Sequence, residues 1–311
     1  MKKTVEIVEV GPRDGLQNEP VTFSTAQKLM LIDLTIAAGV KRIEVASFVH
    51  PKRVPQMADA EDVIAALPDR KNVEYVGLVL NKRGLLRAFA TREQGGRGVD
   101  EVGCVAVASE TFAERNQGQT MSESVAVSKD IIRLAKENGL SAQVTISASF
   151  GCPFEGRVPM DRVVDMAKAL AEAEPREIAI ADTIGVGTPG KVSELIARVR
   201  EAAPGITLRA HFHNTRNTGI ANAWAAFEAG VDVLDSSLGG LGGCPFAPKA
   251  TGNIATEDLI YLLDESDIST GLVLDRLVSG AAWLETILGR PVPAMVAQAG
   301  GFPVDQGAHC P

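Results

Sequence analysis

Cysteine is scarce in this chain, which has four among its 311 residues and no pair with CxxC spacing. Four scattered cysteines are too few for a disulfide-stabilised scaffold, so we expect free thiols in a reducing compartment. A signal or transit peptide is not expected either, since a strand-like run starts at residue 5, directly after Met1-Lys-Lys-Thr. These features predict a cytoplasmic protein.

Long apolar runs and clusters of positive charge are missing as well. No stretch approaches the roughly 20 apolar residues of a transmembrane helix, and the net charge of −8 comes without any lysine- or arginine-rich run. Membrane and nucleic-acid partners are therefore not expected. Hydrophobic residues make up 45% and charged residues 23% of the chain, as in folded soluble proteins, which argues against disorder.

Apolar runs typical of strands alternate with helical patterns along the chain. The strand-like runs cover residues 5–10, 42–47, 73–80, 101–108, 142–150, 177–183, 206–214 and 231–237. Apolar residues at three- and four-residue spacing mark the clearest helices, at 24–38, 125–138, 160–173, 191–203 and 218–229. This alternation predicts an α/β protein, a single (β/α)8 TIM barrel over residues 1–290. A doubly wound open sheet is the alternative, but the nucleotide-binding glycine fingerprint it usually carries is absent.

Two features are expected after the eighth strand. A helical pattern near residues 269–289 predicts a short C-terminal helical extension of the barrel. Residues 291–311 show no comparable pattern, so we expect them to form a flexible tail.

His211 and His213 end the seventh strand-like run, and the chain has only two other histidines. Side chains two residues apart in a strand point to the same side. Two imidazoles side by side are costly to bury without a partner, and a divalent metal is their usual partner. The pair therefore favours a metal site over two surface histidines.

Further polar residues follow the strands, where the active site of a TIM barrel lies. Asp14 comes after the first strand-like run and Asn253 comes after the eighth. Because strands 1, 7 and 8 are neighbours in a closed barrel, we expect these two side chains to converge with His211 and His213. Two nitrogens, a carboxylate and an amide oxygen, without a thiolate, predict Mg²⁺ or Mn²⁺ with positions left for substrate oxygens.

Several motifs of the chain resemble the 3-hydroxy-3-methylglutaryl-CoA lyase family. They are Val-Gly-Pro-Arg-Asp-Gly-Leu-Gln-Asn at 10–18, Gly-Leu-Gly-Gly-Cys-Pro-Phe-Ala at 240–247 and Thr-Gly-Asn-Ile-Ala-Thr-Glu-Asp at 251–258, with further matches at 47–57, 151–156 and 182–190. The resemblance extends from residue 5 to about residue 290. This family belongs to a superfamily of metal-dependent barrels that also contains the isopropylmalate and homocitrate synthases.

The resemblance implies cleavage of 3-hydroxy-3-methylglutaryl-CoA to acetyl-CoA and acetoacetate by a homodimeric enzyme. The metal ligands that it implies are Asp14, His211, His213 and Asn253. Arg13 would stabilise the thioester enolate, and Cys244, in a glycine-rich loop that closes over the substrate, would protonate it. Either Asp14 or His211 would take the proton of the substrate hydroxyl.

Five further polar residues are expected to bind substrate or to support the site. They are Glu9, Gln17, Glu44, Asp182 and Glu257. Glu44 lies among apolar strand neighbours, so it must be paired or protonated, and the resemblance implies that it holds Arg13. Asp182 either caps the following helix or, as the resemblance implies, lies near the waters of the metal. Cys104 and Cys152 are assigned to the core.

One departure from the pattern of the family concerns the substrate. After the second histidine the family usually has Asp-Thr-Tyr, whereas this chain has Asn214, Thr215 and Arg216. The exchange makes this rim of the barrel more positive, so we expect Arg216 to contact a substrate carboxylate or a CoA phosphate. The alternative substrate is therefore citramalyl-CoA or a longer 3-hydroxy-3-alkylglutaryl-CoA.

Two other classes of protein are weighed against a lyase. A condensing synthase of the isopropylmalate or homocitrate type usually reads Arg-Asp-Gly-Glu-Gln and carries extra C-terminal domains, whereas this sequence has Leu16 in the motif and shows no such domain. A non-catalytic binding barrel has no need of Arg13, Cys244 and four metal ligands together. Both classes fit the sequence less well than a lyase does.

Overall fold

Eight parallel strands close into a barrel in the computed structural model, which describes residues 3–243 and 252–303. The strands are β1 (Glu6–Glu9), β2 (Arg42–Ser47), β3 (Glu74–Leu78), β4 (Glu101–Val107), β5 (Ser141–Ser147), β6 (Glu177–Asp182), β7 (Thr207–Phe212) and β8 (Val233–Ser236). Strand β8 pairs with β1, which closes the sheet. The predicted TIM barrel is confirmed, and the alternative of an open sheet is wrong.

Helices follow the strands and pack around the barrel. They are α1 (Thr25–Ala37), α2 (Ala60–Ala65), α3 (Lys82–Ala90), α4 (Glu110–Gln117), α5 (Met121–Glu137), α6 (Met160–Ala171), α7 (Pro189–Ala202), α8 (Gly219–Glu228), α9 (Thr256–Glu265), α10 (Leu274–Leu288) and α11 (Met295–Ala299). Helix α5 starts at Met121 rather than at residue 125, because Thr120 and Glu123 form a capping box there. Strand β5 ends at Ser147 rather than at residue 150, because the backbone of Ala148 turns to a φ of 56°.

The interior of the barrel is charged where the strands begin. Arg42 of β2 donates hydrogen bonds to Glu101 of β4 and to Glu177 of β6, at 3.0 Å from Nε and 2.8 Å from NH1 respectively. Arg209 of β7 places its Nε 3.1 Å from Glu177 Oε1. All four side chains are at most 2% exposed, so the charges compensate one another without water.

The C-terminal extension packs on the barrel and continues beyond the predicted range. Helix α10 lies against α1, and the following residues Val292 and Ala294 are buried. The backbone N–H of Ala294 donates to the carbonyl of Gly239 at 3.2 Å, so this segment supports the loop after β8. This part of the predicted tail thus contacts the barrel, and the flexibility expected of residues 291–311 stays a prediction. Among the described helices, none is long and apolar enough to cross a membrane.

The buried pairs of Arg42 make a stability prediction. Arg42→Met leaves Glu101 and Glu177 without their main partner, so we expect the free energy of unfolding to fall by about 3–5 kcal/mol. The matched control is Arg176→Met, since Arg176 contacts the same Glu101 at 3.0 Å from a half-exposed position and should cost less than about 1 kcal/mol. Urea unfolding of both variants checks the difference. Equal losses in the two variants would contradict this account of the interior.

Candidate active site

Three of the predicted metal ligands lie together at the C-terminal ends of the strands. Asp14 sits in the turn Gly11–Gly15 that follows β1, His211 belongs to β7, and His213 comes directly after that strand. One ligand atom from each of the three lies within 4.8 Å of the others. The period of two in the strand thus places both imidazoles on the side of Asp14, as predicted.

Asn253 completes this group, and its amide orientation is fixed by its partners. The Nδ2 group donates to Asp14 Oδ2 at 2.9 Å and to the carbonyl of Leu241 at 3.1 Å. The amide oxygen Oδ1 is consequently left buried without a hydrogen-bond partner among the described residues. A buried oxygen of this kind normally has a partner. Together with Asp14 and the two histidines, it fits a hard divalent cation.

Asp235 is a residue of this site that the sequence analysis missed. Its Oδ2 lies 3.0 Å from Nδ1 of His211. Burial alone would raise the pKa of Asp235, but the charge of Arg209 and the contact with His211 hold it below its usual value. An ionised Asp235 assigns the proton to Nδ1, which leaves Nε2 of His211 to face Asp14, 3.9 Å away. The reasoning applied to Glu44, a carboxylate in an apolar strand, would have found Asp235 as well.

Arg13 is held beside the ligand group by two carboxylates. Its Nε donates to Glu44 Oε1 and its NH1 to Asp14 Oδ1, both at 2.7 Å, while Gln17 Oε1 lies 3.5 Å from NH1. The side chains of Arg13 and Asp14 are only 12% and 18% exposed, so they do not form a solvated surface pair. NH2 of Arg13 has no hydrogen bond with any described residue, and the side chain lines the main cavity.

The surroundings of Asp14 keep its carboxylate ionised. Burial on its own would raise the pKa of Asp14, but the charges of Arg13, His211 and His213 and the hydrogen bond from Asn253 hold that pKa well below its usual range. The pKa of His211 is raised, because the hydrogen bond and charge of Asp235 and the charge of Asp14 outweigh the effect of burial. Before substrate binds, Asp14 is thus ionised at neutral pH, as a ligand of a cation requires.

Glu9 and Glu257 hold backbone around the site rather than facing the cavity. Glu9 accepts hydrogen bonds from the N–H groups of Gly11 and Leu238, at 2.7 and 2.9 Å, and from the hydroxyl of Thr256 at 2.8 Å. Glu257 accepts from the N–H of Gly239 with both oxygens, at 2.9 and 3.0 Å. Burial raises the pKa of Glu9 to about 7 and that of Glu257 to about 8. The two carboxyls tie together the loops after β1 and β8.

The side chains of Asp182 and Arg216 contact the backbone of the turn after β6. Asp182 accepts hydrogen bonds from the N–H groups of Val186 and Gly187, at 2.9 and 2.7 Å, so it holds the turn after β6. The exposed Arg216 donates to the carbonyls of Ile184 and Gly185, each at 3.0 Å. Neither side chain lines the main cavity. Asp182 thus holds the turn before α7 and does not cap that helix, which begins at Pro189 after Thr188. The substrate contact expected of Arg216 stays a prediction. Cys244 lies outside the described residues.

The cavity above these residues has a volume of about 1110 Å³ and opens at the C-terminal ends of the strands. Its lining includes the exposed arginines Arg53, Arg83 and Arg115 near the mouth. The acidic residues that line it, Asp14, Glu44 and Asp235, all belong to the group around Arg13 and His211. The described mouth is therefore positively charged, which favours an anionic ligand.

Comparisons with known proteins agree with this arrangement. The sequence model of the HMGL-like family matches residues 4–283. The hydroxymethylglutaryl-CoA lyase YngG of Bacillus subtilis is 41% identical over 94% of this chain and 96% of its own. The (R)-citramalyl-CoA lyase of Chloroflexus aurantiacus is also 41% identical, over 96% and 95%. The structure of an HMG-CoA lyase from Acinetobacter baumannii in complex with coenzyme A and 3-methylmalate superposes with a TM-score of 0.90 at 36% identity, covering 97% of this chain and 98% of that one.

The raised pKa values of Glu9 and Glu257 predict how stability depends on pH. Between about pH 4.5 and pH 8 the folded protein keeps protons that the unfolded chain has released, so its stability is lost as the pH rises. Glu257→Gln should reduce this loss between pH 5.5 and pH 8 by about 3 kcal/mol. Urea unfolding of chelator-treated protein at several pH values measures it. The control is Glu265→Gln, an exposed change in the same helix, and identical pH slopes for both variants would refute the prediction.

Asp235 makes a separate prediction about metal affinity. Asp235→Asn keeps the shape of the side chain but removes the charge that orients His211, so we expect the Kd for Mn²⁺ to rise about 10- to 100-fold. Calorimetric titration of the protein with Mn²⁺ measures this Kd. Asp232→Asn is the matched control, because Asp232 is exposed at the start of the same strand region. A Kd for Asp235→Asn within twofold of that control would remove Asp235 from the site.

Proposed function

Since the chain belongs to the HMGL-like family, we propose that it is a divalent-metal-dependent carbon–carbon lyase that cleaves 3-hydroxy-3-methylglutaryl-CoA into acetyl-CoA and acetoacetate. The observation that carries the proposal is the buried, unpartnered Oδ1 of Asn253 beside Asp14 and the two histidines. Arg13 stands next to this group at the base of the large cavity. A cation site beside a fixed guanidinium suits the stabilisation of a negative charge that develops on substrate oxygens.

An acyl-CoA substrate is supported by the shape and charge of the cavity. Its mouth carries Arg53, Arg83 and Arg115, which suit the phosphates of coenzyme A. Arg87, which also lines the cavity, is engaged by Glu61 and by backbone carbonyls and so shapes the wall. The superposable lyase from Acinetobacter baumannii, which is complexed with coenzyme A, lends further support.

Asp14, His211, His213 and Asn253 would hold Mg²⁺ or Mn²⁺. The bound ion would supply a Lewis acid for the oxygen of the substrate hydroxyl and would lower the pKa of that hydroxyl. The charge on Asp14 and the orientation of His211 by Asp235 are then the contributions of the chain to binding the ion.

The side chains account for the movement of protons and electrons. The proton of the 3-hydroxyl passes to Asp14 or to His211, and the electron pair of that O–H bond forms the carbonyl of the departing keto acid. The bond between C2 and C3 breaks, and its electrons move onto the thioester as an enolate. NH2 of Arg13, which has no described partner, donates to the enolate oxygen. A proton added to C2 then gives acetyl-CoA, and we assign this step to Cys244.

Citramalyl-CoA is the second substrate candidate. The (R)-citramalyl-CoA lyase of Chloroflexus aurantiacus is as similar to this chain as YngG is, at 41% identity for both. Both thioesters carry a tertiary 3-hydroxyl and a carboxylate, so the same ligand group and the same Arg13 serve either reaction. The substrate is then decided by the walls of the cavity rather than by its catalytic groups.

A homodimer in the cytoplasm completes the proposal. Met295 and Phe302 of the C-terminal extension are 67% and 65% exposed, and large apolar side chains of this kind are suited to an interface between two copies. Cys104 and Cys152 are free and buried, which suits a reducing compartment. Sedimentation of the wild type and of Met295→Glu tests the dimer.

The assay that tests the function uses purified protein with Mg²⁺. We expect acetyl-CoA release from 3-hydroxy-3-methylglutaryl-CoA, its loss on chelation, and a decrease in kcat of at least about 100-fold in Cys244→Ala. Cys104→Ala is the matched control, since Cys104 of β4 is buried and does not line the cavity. This variant should retain turnover. Cleavage of citramalyl-CoA alone would identify the second candidate as the substrate. Cleavage of neither thioester would refute the lyase.

A further inference from the structure

The cavity reaches below the catalytic residues to a polar layer that the reaction does not use. We call Gln143, Thr145 and Arg209 the polar floor, and all three line the cavity. Arg209 precedes His211 by two residues on β7, so it points to the same interior one layer lower. Gln143 and Thr145 point inward from β5, two strands away around the barrel.

Small residues on the neighbouring strands open the space above the polar floor. Gly103 of β4 and Ala181 of β6 line it, and neither fills it with a side chain. A Cβ atom at residue 103 would lie only 2.7 Å from Gln143 Nε2. Gly103 is therefore the residue that lets the amide of Gln143 lie along the wall of the cavity.

The hydrogen bonds of the polar floor leave donors without partners. NH2 of Arg209 donates to Gln143 Oε1 and, at 3.2 Å, to Thr145 Oγ1. Because the amide oxygen of Gln143 is engaged by Arg209, the amide nitrogen Nε2 is turned to the other side of this cavity-lining residue, and no hydrogen bond joins it to a described residue. The charge of Arg209 is already compensated, with Glu177 Oε1 at 3.1 Å and Asp235 Oδ1 at 3.5 Å. The polar floor thus offers hydrogen-bond donors rather than net positive charge.

We propose that the polar floor selects the acyl group of the substrate: Gln143 Nε2 donates to a carboxylate oxygen of a short acyl group, and longer alkyl substituents on C3 are excluded. This inference rests on the proposed lyase function and narrows its substrate class. An alkyl chain placed here would cover the donors of Gln143 and Arg209 without offering an acceptor, which is unfavourable for buried polar groups. The longer 3-hydroxy-3-alkylglutaryl-CoA substrates expected as an alternative are therefore rejected.

The first test compares substrates that differ only in the 3-alkyl group. The wild type is assayed with 3-hydroxy-3-methylglutaryl-CoA and with its 3-ethyl and 3-propyl homologues. We expect kcat/KM to fall at least tenfold from methyl to propyl. In Gln143→Leu, kcat/KM for the methyl substrate should fall about tenfold, mainly because KM rises. The ratio of kcat/KM for the methyl substrate to kcat/KM for the propyl substrate should therefore become smaller. A wild type that cleaves the propyl substrate as well as the methyl one would overturn the proposal.

Two further variants provide a second test and a control. Thr145→Val removes one hydroxyl at nearly the same side-chain volume. It should lower the methyl-to-propyl ratio of kcat/KM by a smaller factor than Gln143→Leu does. If Gln143→Leu does not fold, Thr145→Val tests the polar floor in its place. Gln298→Leu makes the same chemical change as Gln143→Leu on helix α11, remote from the cavity, and should leave the ratio unchanged. An unchanged ratio in Thr145→Val and Gln143→Leu alike would show that the floor does not contact the acyl group.

A binding measurement separates this inference from the lyase proposal. Calorimetry with Mg²⁺-loaded protein gives the Kd of free 3-hydroxy-3-methylglutarate and of free citramalate. We expect Gln143→Leu to weaken the better of the two about tenfold relative to Gln298→Leu. If no thioester is cleaved but this difference holds, the lyase proposal fails and the polar floor stands. If turnover is found and the two variants bind the acids equally, the lyase proposal stands and the proposed role of the polar floor is refuted.

Discussion

The compensation of buried charge inside the barrel is the constraint on which the site depends. Arg42 joins Glu101 to Glu177, Arg209 continues from Glu177 to Asp235, and Asp235 orients His211. Each member needs the next, since a buried charge without a partner costs several kcal/mol. The position of His211 is therefore tied to a chain of charged pairs that begins at the opposite end of the barrel.

The balance of this network explains why a divalent cation suits it. Among the described side chains of this network that are less than a fifth exposed, three are arginines, Arg13, Arg42 and Arg209, and five are carboxylates. These are Asp14, Glu44, Glu101, Glu177 and Asp235. When all are ionised, two negative charges are left over, and all eight side chains are less than a fifth exposed. One Mg²⁺ or Mn²⁺ on Asp14 and the two histidines would offset these two charges of the network, so charge and ligand type favour the same kind of ion.

Parts of the site that follow from local patterns could be predicted, whereas parts that arise across the barrel could not. The spacing of His211 and His213 is local, and the barrel follows from the alternation of strands and helices. The contact between Arg209 and Gln143 joins residues 66 positions apart and has no local signature. Asp182 shows a third case, because a carboxylate after a strand can face a cavity or cap a turn, and only the positions of the nearby N–H groups decide.

Buried carboxylates of the barrel differ in the direction of their pKa shift and in the groups beside them. Asp14 and Asp235 lie beside arginine, and the pKa of each is held below its usual value. Glu9 and Glu257 lie beside backbone N–H groups without a cation, and burial raises their pKa values to about 7 and 8. The first kind therefore adds negative charge to the ligand group, while the second kind, whose pKa values lie in the neutral range, joins loops and carries only part of its charge there. Arginine alone does not make this difference, since burial raises the pKa of Glu101 although Arg42 and Arg176 both contact it. At Asp14 the charges of His211 and His213 and the hydrogen bond from Asn253 add to the charge of Arg13, so the whole ligand group keeps this carboxylate ionised.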